Sequence, residues 1–206
     1  MNINIDTFND WAVKGKDVDM QKGHVNAVDQ MLDLIDNKTK VLKRPFKFLD
    51  IGCGNGWVVR KVSKFKNCIL AEGIDGAPEM IKKAKTDDPE NTYYLQNIEG
   101  WTPDKKYDII FSMEVFYYFK DPEKIIFNLS KYIKKGGLLI IGVDHYKENT
   151  ESLNWDKEYN ISTNTFNIQS WKDFLIKADL DNICSMQYGA KENWKGTLIV
   201  LGNKKT

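Results

Sequence analysis

The stretch from Phe46 to Arg60 constrains the fold more than any other part of the chain. It reads FKFLDIGCGNGWVVR: a short apolar run containing Asp50, a glycine-rich turn at residues 52–56, and then the apolar spacing of a helix. Glycines at a strand-to-helix turn let a ligand approach the backbone closely, because they carry no side chain. The helix that follows offers unpaired N–H groups and a positive dipole end, which attract anionic groups. The stretch therefore predicts a strand, a tight turn and a helix that together hold a nucleotide-like cofactor.

The spacing of the glycines indicates which cofactor class to expect. The dinucleotide fingerprint G-x-G-x-x-G would need its third glycine at Trp57, where an indole fits poorly beside a pyrophosphate. The string LDIGCGNG, with Asp50 ahead of the glycines, resembles the first motif of class I S-adenosylmethionine-dependent methyltransferases. Three alternatives stay open: an NAD-dependent oxidoreductase, a non-catalytic sensor or scaffold that binds the same cofactor, and an ordinary tight turn.

The order of predicted elements indicates an α/β fold. Strands are predicted at residues 46–51, 68–74, 92–96, 107–112, 138–143, 183–188 and 197–201. Helices are predicted at residues 24–36, 55–66, 76–85, 121–133 and 168–178, with the run Lys134–Gly137 ending the fourth helix. Alternating strands and helices predict a mostly parallel sheet with helices on both faces. The last two strands are joined too closely for a helical crossover, so they should form an antiparallel hairpin.

The predicted architecture is therefore a Rossmann-like, doubly wound, seven-stranded sheet in a single domain of residues 1–206. Within it we expect an N-terminal lid and helix segment (1–45), a cofactor-binding core (46–143), an acceptor-side insertion (144–180) and a C-terminal hairpin (181–206).

Composition excludes several other classes of protein. The chain has 206 residues, of which 42% are hydrophobic, and 30 basic residues balance 29 acidic ones, so no broad basic field favours a nucleic-acid partner. No apolar run approaches the roughly 20 residues that a membrane span needs, and the N-terminus does not resemble a secretory signal. Cys53, Cys68 and Cys184 match neither a zinc pattern nor a disulfide framework. We expect a cytoplasmic protein with reduced thiols and no metal.

The resemblance also implies which residues contact the cofactor. Ligands of such sheets bind beyond the carboxyl ends of the strands, and Asp75 ends the second strand, where the family places the acid that holds the ribose. Asn97 takes the position that meets the adenine amino group, and Ile98 packs on the ring. The segment before the first strand folds over the cofactor in related enzymes. The predicted cofactor-binding residues are Asp50, Gly52, Cys53, Gly54, Asp75, Gly76, Asn97, Ile98 and Met113, with Trp11 and His24 in the lid.

The acceptor side is harder to interpret. The string SMEVFYYF (112–119) resembles the SMEVLEHV-type stretch of the small-molecule, type 11-like branch, but Tyr117 and Tyr118 replace its Glu-His pair. His145 follows the fifth strand at the ligand-bearing edge and is a candidate base, because histidine exchanges protons near neutral pH. The resemblance implies methyl transfer by in-line displacement to a small-molecule acceptor, with Tyr117, Tyr118 and His145 as catalytic candidates. Local basic clusters leave a protein or RNA acceptor as a weaker alternative.

Overall fold

The computed structural model describes residues 2–205 as one sheet flanked by helices. The strands are β1 (Phe46–Ile51), β2 (Cys68–Asp75), β3 (Thr92–Leu95), β4 (Tyr107–Met113), β5 (Ile133–Val143), β6 (Leu180–Tyr188) and β7 (Thr197–Lys204). The helices are α1 (Ile3–Val13), α2 (Lys16–Lys38), α3 (Trp57–Ser63), α4 (Pro78–Asp87), α5 (Pro122–Ser130), α6 (Trp155–Tyr159) and α7 (Ile168–Lys177). Short 3₁₀ turns lie at Val41–Lys43, Ile98–Gly100, Phe116–Tyr118 and Thr150–Ser152.

The sheet separates two hydrophobic cores. Successive side chains of a strand point to opposite faces, and in β1 Leu49 and Ile51 pack on one face while Phe46 and Phe48 pack on the other. The first face is covered by α5 and α7, and the second by α2, α3 and α4. Burial on both faces explains why the central strands are apolar throughout rather than alternating.

The strand order is β3-β2-β1-β4-β5-β7-β6, with β7 antiparallel to both of its neighbours. The other pairings are parallel. This confirms the predicted seven-stranded Rossmann-like sheet with an antiparallel C-terminal hairpin. The order reverses between β1 and β4, and in open α/β sheets this reversal creates a crevice beyond the carboxyl ends of the strands.

Several predicted boundaries were wrong. The N-terminal segment, for which no helix was predicted before residue 24, forms α1 and an early start of α2. The fourth predicted helix ends at Ser130 instead of Ile133, and residues 134–137 belong to β5 rather than to a helix stop. The strand tolerates Gly136, with φ of 69°, because β5 shifts register against β4 at that point. The segment 144–167 contains a 3₁₀ turn and α6, neither of which had a visible periodicity.

Within residues 2–205, no helix combines the length and the apolar character that crossing a membrane requires.

Candidate active site

A cavity opens where the strand order reverses, at the carboxyl ends of β1, β2 and β4. Its volume is about 1090 Å³, including its opening to solvent. The turn after β1, the end of β2, the segment after β3 and the end of β4 form its floor, and side chains of α1 and α2 close it from above. The predicted residues that line it are Asp50, Gly52, Cys53, Gly54, Asp75, Gly76, Asn97, Ile98, Met113, His24 and Tyr118.

The glycine-rich turn has a backbone that other residues could not adopt without strain. Gly52 has φ of 74°, and a Cβ added there would lie 2.2 Å from Cγ2 of Val115. Gly54 has φ of 52°, but a Cβ there would meet only Met80 Sδ, at 3.9 Å. Gly52 is therefore required by close packing, whereas Gly54 leaves its backbone accessible from the cavity.

Asp75 holds this turn in place. Gly54 N–H donates to Asp75 Oδ2 at 2.9 Å, and Ala77 N–H donates to Asp75 Oδ1 at 2.8 Å. Burial raises the pKa of Asp75, although the backbone hydrogen bonds partly oppose the rise. Asp50 is 2% exposed, and burial followed by the nearby charge of Asp75 raises its pKa well above the usual range. Each carboxylate oxygen of Asp75 can accept a second hydrogen bond, so Asp75 can also contact a ligand.

Asn97 and Ile98 form the wall of the cavity beyond β3. The Asn97 side chain accepts a hydrogen bond from Glu99 N–H at 3.1 Å and thereby caps the short 3₁₀ turn that starts at Ile98. Ile98 is buried and packs into the core beneath the sheet edge. Asn97 therefore has a local structural role in addition to its position on the cavity.

Two N-terminal helices close the cavity, and a polar network attaches α2 to the glycine turn. Asn55 Nδ2 donates to Asp17 Oδ2 at 2.9 Å, and Lys83 Nζ of α4 donates to Asp17 Oδ1 at 2.6 Å. On α1, Ile5 and Phe8 face the cavity. The segment before β1 therefore covers the site, and Asp17 and Asn55 are functional candidates that the sequence interpretation missed.

The two segments flanking the core meet above the site. The side-chain amide of Asn4 donates to Ser162 O at 3.0 Å and its oxygen accepts from Ser162 N–H at 2.7 Å. Trp11 does not line the cavity. Its ring packs edge-on against Phe8 at 5.3 Å and Tyr159 at 5.9 Å, measured between ring centroids. Trp11 thus supports Phe8 and links α1 to α6.

A polar cluster lies at the opposite wall, where β4 and β5 end. Glu114 has φ of 63°, unusual for a residue other than glycine. Its Oε1 accepts from Asp144 N–H, and its Oε2 accepts from the Tyr117 hydroxyl at 2.8 Å. The hydroxyls of Tyr117 and Tyr118 are 2.8 Å apart, and His24 Nε2 lies 3.7 Å from Asp144 Oδ2.

The electrostatics of this cluster are governed by burial and by mutual charge. Burial, followed by the charge of Asp144, raises the pKa of Glu114 to about 8. Burial lowers the pKa of His24, but the nearby carboxylate of Asp144 and the charge of Glu114 outweigh it, so that this pKa is raised overall. Glu114 is part of the string SMEV, and Asp144 directly precedes His145. Both were visible in the sequence, but nothing there indicated that they meet His24.

His145 and Tyr117 do not line the cavity. His145 is fully buried: its Nδ1–H donates to Ser152 O at 2.9 Å and its Nε2 bonds with the Thr165 hydroxyl at 2.8 Å. Burial lowers its pKa. With both ring nitrogens engaged, His145 anchors the segment after β5. Tyr117, which is 1% exposed, connects Glu114 to Tyr118.

The sequence of this chain, like its fold, is similar to that of known proteins. The chain belongs to the methyltransferase domain family, whose model matches residues 24–185. It is 34% identical over 138 residues to malonyl-[acyl-carrier protein] O-methyltransferase 2 of Ilyobacter polytropus, a match that covers 63% of this chain and 53% of that protein. The chain spans about half the length of the two malonyl-[acyl-carrier protein] O-methyltransferases of Ilyobacter polytropus that it matches.

Solved structures share the fold. One comes from the complex between the Haloferax volcanii Trm112 methyltransferase activator and a methyltransferase. The match has a TM-score of 0.82 and 22% identity, and it covers 97% of this chain and 98% of that one. Another is the plantazolicin methyltransferase BamL, solved in complex with a triazolic desmethylPZN analog and SAH. It has a TM-score of 0.78, 18% identity, and coverage of 99% of this chain and 95% of that one. These relatives give no support to a nicotinamide-dependent oxidoreductase.

Proposed function

We propose that this chain transfers a methyl group from S-adenosylmethionine to a small-molecule nucleophile. The observation that carries the proposal is the position of one cavity: it joins the glycine turn, Asp75 and the Asn97–Ile98 wall at the strand reversal of a methyltransferase-family sheet. The lining combines apolar side chains with a few convergent polar groups, as small-molecule sites usually do.

The residues around the cavity fit this cofactor. Gly54 leaves its backbone accessible to the amino-acid end of the cofactor, and the spare lone pairs of Asp75 can accept from two ribose hydroxyls. Asn97 can hydrogen-bond the adenine edge, and Ile98 offers an apolar surface for the ring. Asp50 is buried beside the turn, and a cationic cofactor nearby would favour its ionised form, which would then balance the positive charge. Cys53, Gly76 and Met113 complete the cavity wall, and we assign them the role of packing against the bound cofactor.

When bound, S-adenosylmethionine supplies an activated methyl group on a sulfonium centre, which leaves as a neutral thioether. The chain therefore has mainly to align an acceptor and exclude water, and alignment alone can lower the barrier by about 7–11 kcal/mol. Phe8, Val115 and Tyr118 supply apolar surface around the cavity. The hydroxyls of Tyr117 and Tyr118 share a hydrogen bond, and Tyr118 lines the cavity whereas Tyr117 does not, which supports Tyr118 as the tyrosine that touches the acceptor.

The acceptor is proposed to be small because the site is closed by segments of this same chain. The paired hydrogen bonds between Asn4 and Ser162 attach α1 to the segment after β5, over the cavity. A folded protein or nucleic acid would have to displace that contact in order to reach Tyr118. The catalytic role predicted for His145 finds no support in its position, because it is buried away from the cavity.

Two measurements test the proposal. Isothermal titration with S-adenosylhomocysteine should give saturable one-to-one binding, whereas NAD should give none. Incubation with methyl-labelled S-adenosylmethionine and a fractionated metabolite extract should then place the label in a low-molecular-weight product. Absence of S-adenosylhomocysteine binding would refute the cofactor assignment. Binding without label transfer to any fraction would favour a non-catalytic sensor.

A further inference from the structure

His24, Glu114 and Asp144 come from three separate parts of the chain and converge beside the cavity, which His24 and Glu114 line. One ring nitrogen of His24 and one oxygen of each carboxylate all lie within 4.8 Å of one another. We propose that these three side chains bind a single divalent transition-metal cation, of the Zn²⁺ or Mn²⁺ class.

The first support is an unsatisfied buried oxygen. Asp144 is 7% exposed, and its Oδ1 has no hydrogen-bond partner among residues 2–205. A buried carboxylate oxygen without a partner is costly, because it has lost its hydration without replacement. Its other oxygen faces His24 at 3.7 Å, which is longer than a hydrogen bond. Asp144 therefore has capacity for a ligand that neither His24 nor the backbone fills.

The second support is the charge balance of the cavity. Asp17, Asp50, Asp75 and Glu114 line it, whereas the described lining includes neither lysine nor arginine. Asp17 is paired with Lys83, and Asp75 is held by backbone N–H groups. Glu114 accepts hydrogen bonds from Asp144 N–H and from the Tyr117 hydroxyl, and the basic side chain beside Glu114 and Asp144 is His24. Two buried carboxylates side by side are unfavourable unless a cation compensates them.

The geometry suits a metal with open coordination positions. In a tetrahedral site, ligand atoms about 2.1 Å from a common ion lie about 3.4 Å from one another, so the three side chains would approach one another by up to roughly 1.4 Å when the ion binds. Imidazole with carboxylate oxygens favours Zn²⁺, Fe²⁺ or Mn²⁺ over Mg²⁺, which prefers oxygen ligands and waters. Two of the three proposed ligands, His24 and Glu114, line the cavity, and a site with three protein ligands leaves a coordination position free for a substrate atom. The left-handed backbone of Glu114 is unfavourable for a residue other than glycine, and it is explained if its side chain must face this point.

One consequence rests on the proposed function. A cation here faces the cavity beside Tyr118, so the methyl acceptor would belong to the class of molecules that carry a metal-binding oxygen. The metal site itself can be tested without any acceptor.

The test uses the full chain freed of metal by a chelator and checked for folding by circular dichroism. Isothermal titration with Zn²⁺ should show one saturable site. Asp144→Asn and His24→Gln should each weaken binding by at least about tenfold. Asp29→Asn, which alters a half-buried acid on the same helix as His24, one that pairs with Lys61, should bind as the wild type does.

A second readout does not depend on the variants. The chain has only two histidines, so the imidazole region of an NMR spectrum contains two ring systems. Zn²⁺ should move the ring signals of His24 strongly and those of His145 less, since both ring nitrogens of His145 are already bonded. The proposal is overturned if binding does not saturate, if the site variants bind Zn²⁺ like Asp29→Asn, or if His24 is unmoved at saturation. Any of these results would mean adventitious surface binding only. S-adenosylhomocysteine titration of the same sample separates this result from failure of the proposed function.

Discussion

Replacing Asp75 with Ala should sharply weaken binding of S-adenosylhomocysteine. The carboxylate has two roles in the structure: it accepts backbone hydrogen bonds from Gly54 and Ala77, and it faces the cavity where the ribose is proposed to lie. The substitution removes the ribose acceptor and also releases the glycine turn, so both direct contact and preorganisation are lost.

The size of the effect follows from the number of charged hydrogen bonds lost. Each hydrogen bond to a charged group contributes about 1.5–3 kcal/mol, and a factor of ten in affinity corresponds to about 1.4 kcal/mol. Losing one ribose hydrogen bond predicts a dissociation constant roughly 10- to 150-fold higher, and losing two predicts an increase above roughly 100-fold. The released backbone N–H groups should also lower the melting temperature.

The assay is isothermal titration of the wild type and the variant at a temperature where circular dichroism shows both to be folded. Asp108→Asn is the matched control. Asp108 is also a buried acid with several hydrogen bonds, but it lies near the start of β4, away from the cavity. It should reduce stability and leave the dissociation constant unchanged. An Asp75→Ala dissociation constant within about threefold of the wild-type value would refute the role assigned to Asp75.

Four substitutions test the fold and the site together. Gly52→Ala should lower the melting temperature and abolish cofactor binding, since its Cβ would lie 2.2 Å from a valine side chain. Gly23 lies in α2, and a methyl group added there would have no atom within 4 Å, so Gly23→Ala should instead stabilise the protein by up to about 1 kcal/mol. Equal melting temperatures of the Gly52→Ala and Gly23→Ala variants would contradict the steric argument. Burial raises the pKa of Asp108, but the hydrogen bond and charge of Lys134 and its other partners bring it below the ordinary 3.8. Its stabilisation is therefore present above about pH 4 and lost as the pH falls through the native pKa. Urea unfolding should show Asp108→Asn to be less stable at pH 7 and less sensitive to acid than the wild type, and parallel pH profiles would count against this. His145→Ala should lower the free energy of unfolding by about 1–3 kcal/mol without changing the affinity for the cofactor. A large loss of affinity would indicate that His145 takes part in cofactor binding after all.

Several features of this protein were predictable from sequence because their causes are local. The glycine spacing after Asp50 indicates a strand, turn and helix wherever it occurs, since it depends on the backbone of neighbouring residues. The apolar strands and the short link before β7 indicated a mostly parallel sheet ending in a hairpin. Parallel strands place their carboxyl ends at one edge, so Asp50, Asp75 and Asn97 were expected to meet, and the structure brings them to one cavity.

Only the tertiary structure determines which residues form the cavity wall at the ends of β4 and β5 and which form the lid. The position of His145 after β5 looked the same in sequence whether its ring faced the cavity or the core, and packing against Ser152 and Thr165 turned it inward. His24, Glu114 and Asp144 lie far apart in the chain, and no local pattern links them. Their meeting depends on how α2 crosses the ends of β4 and β5, which is set by long-range packing that a linear pattern does not record.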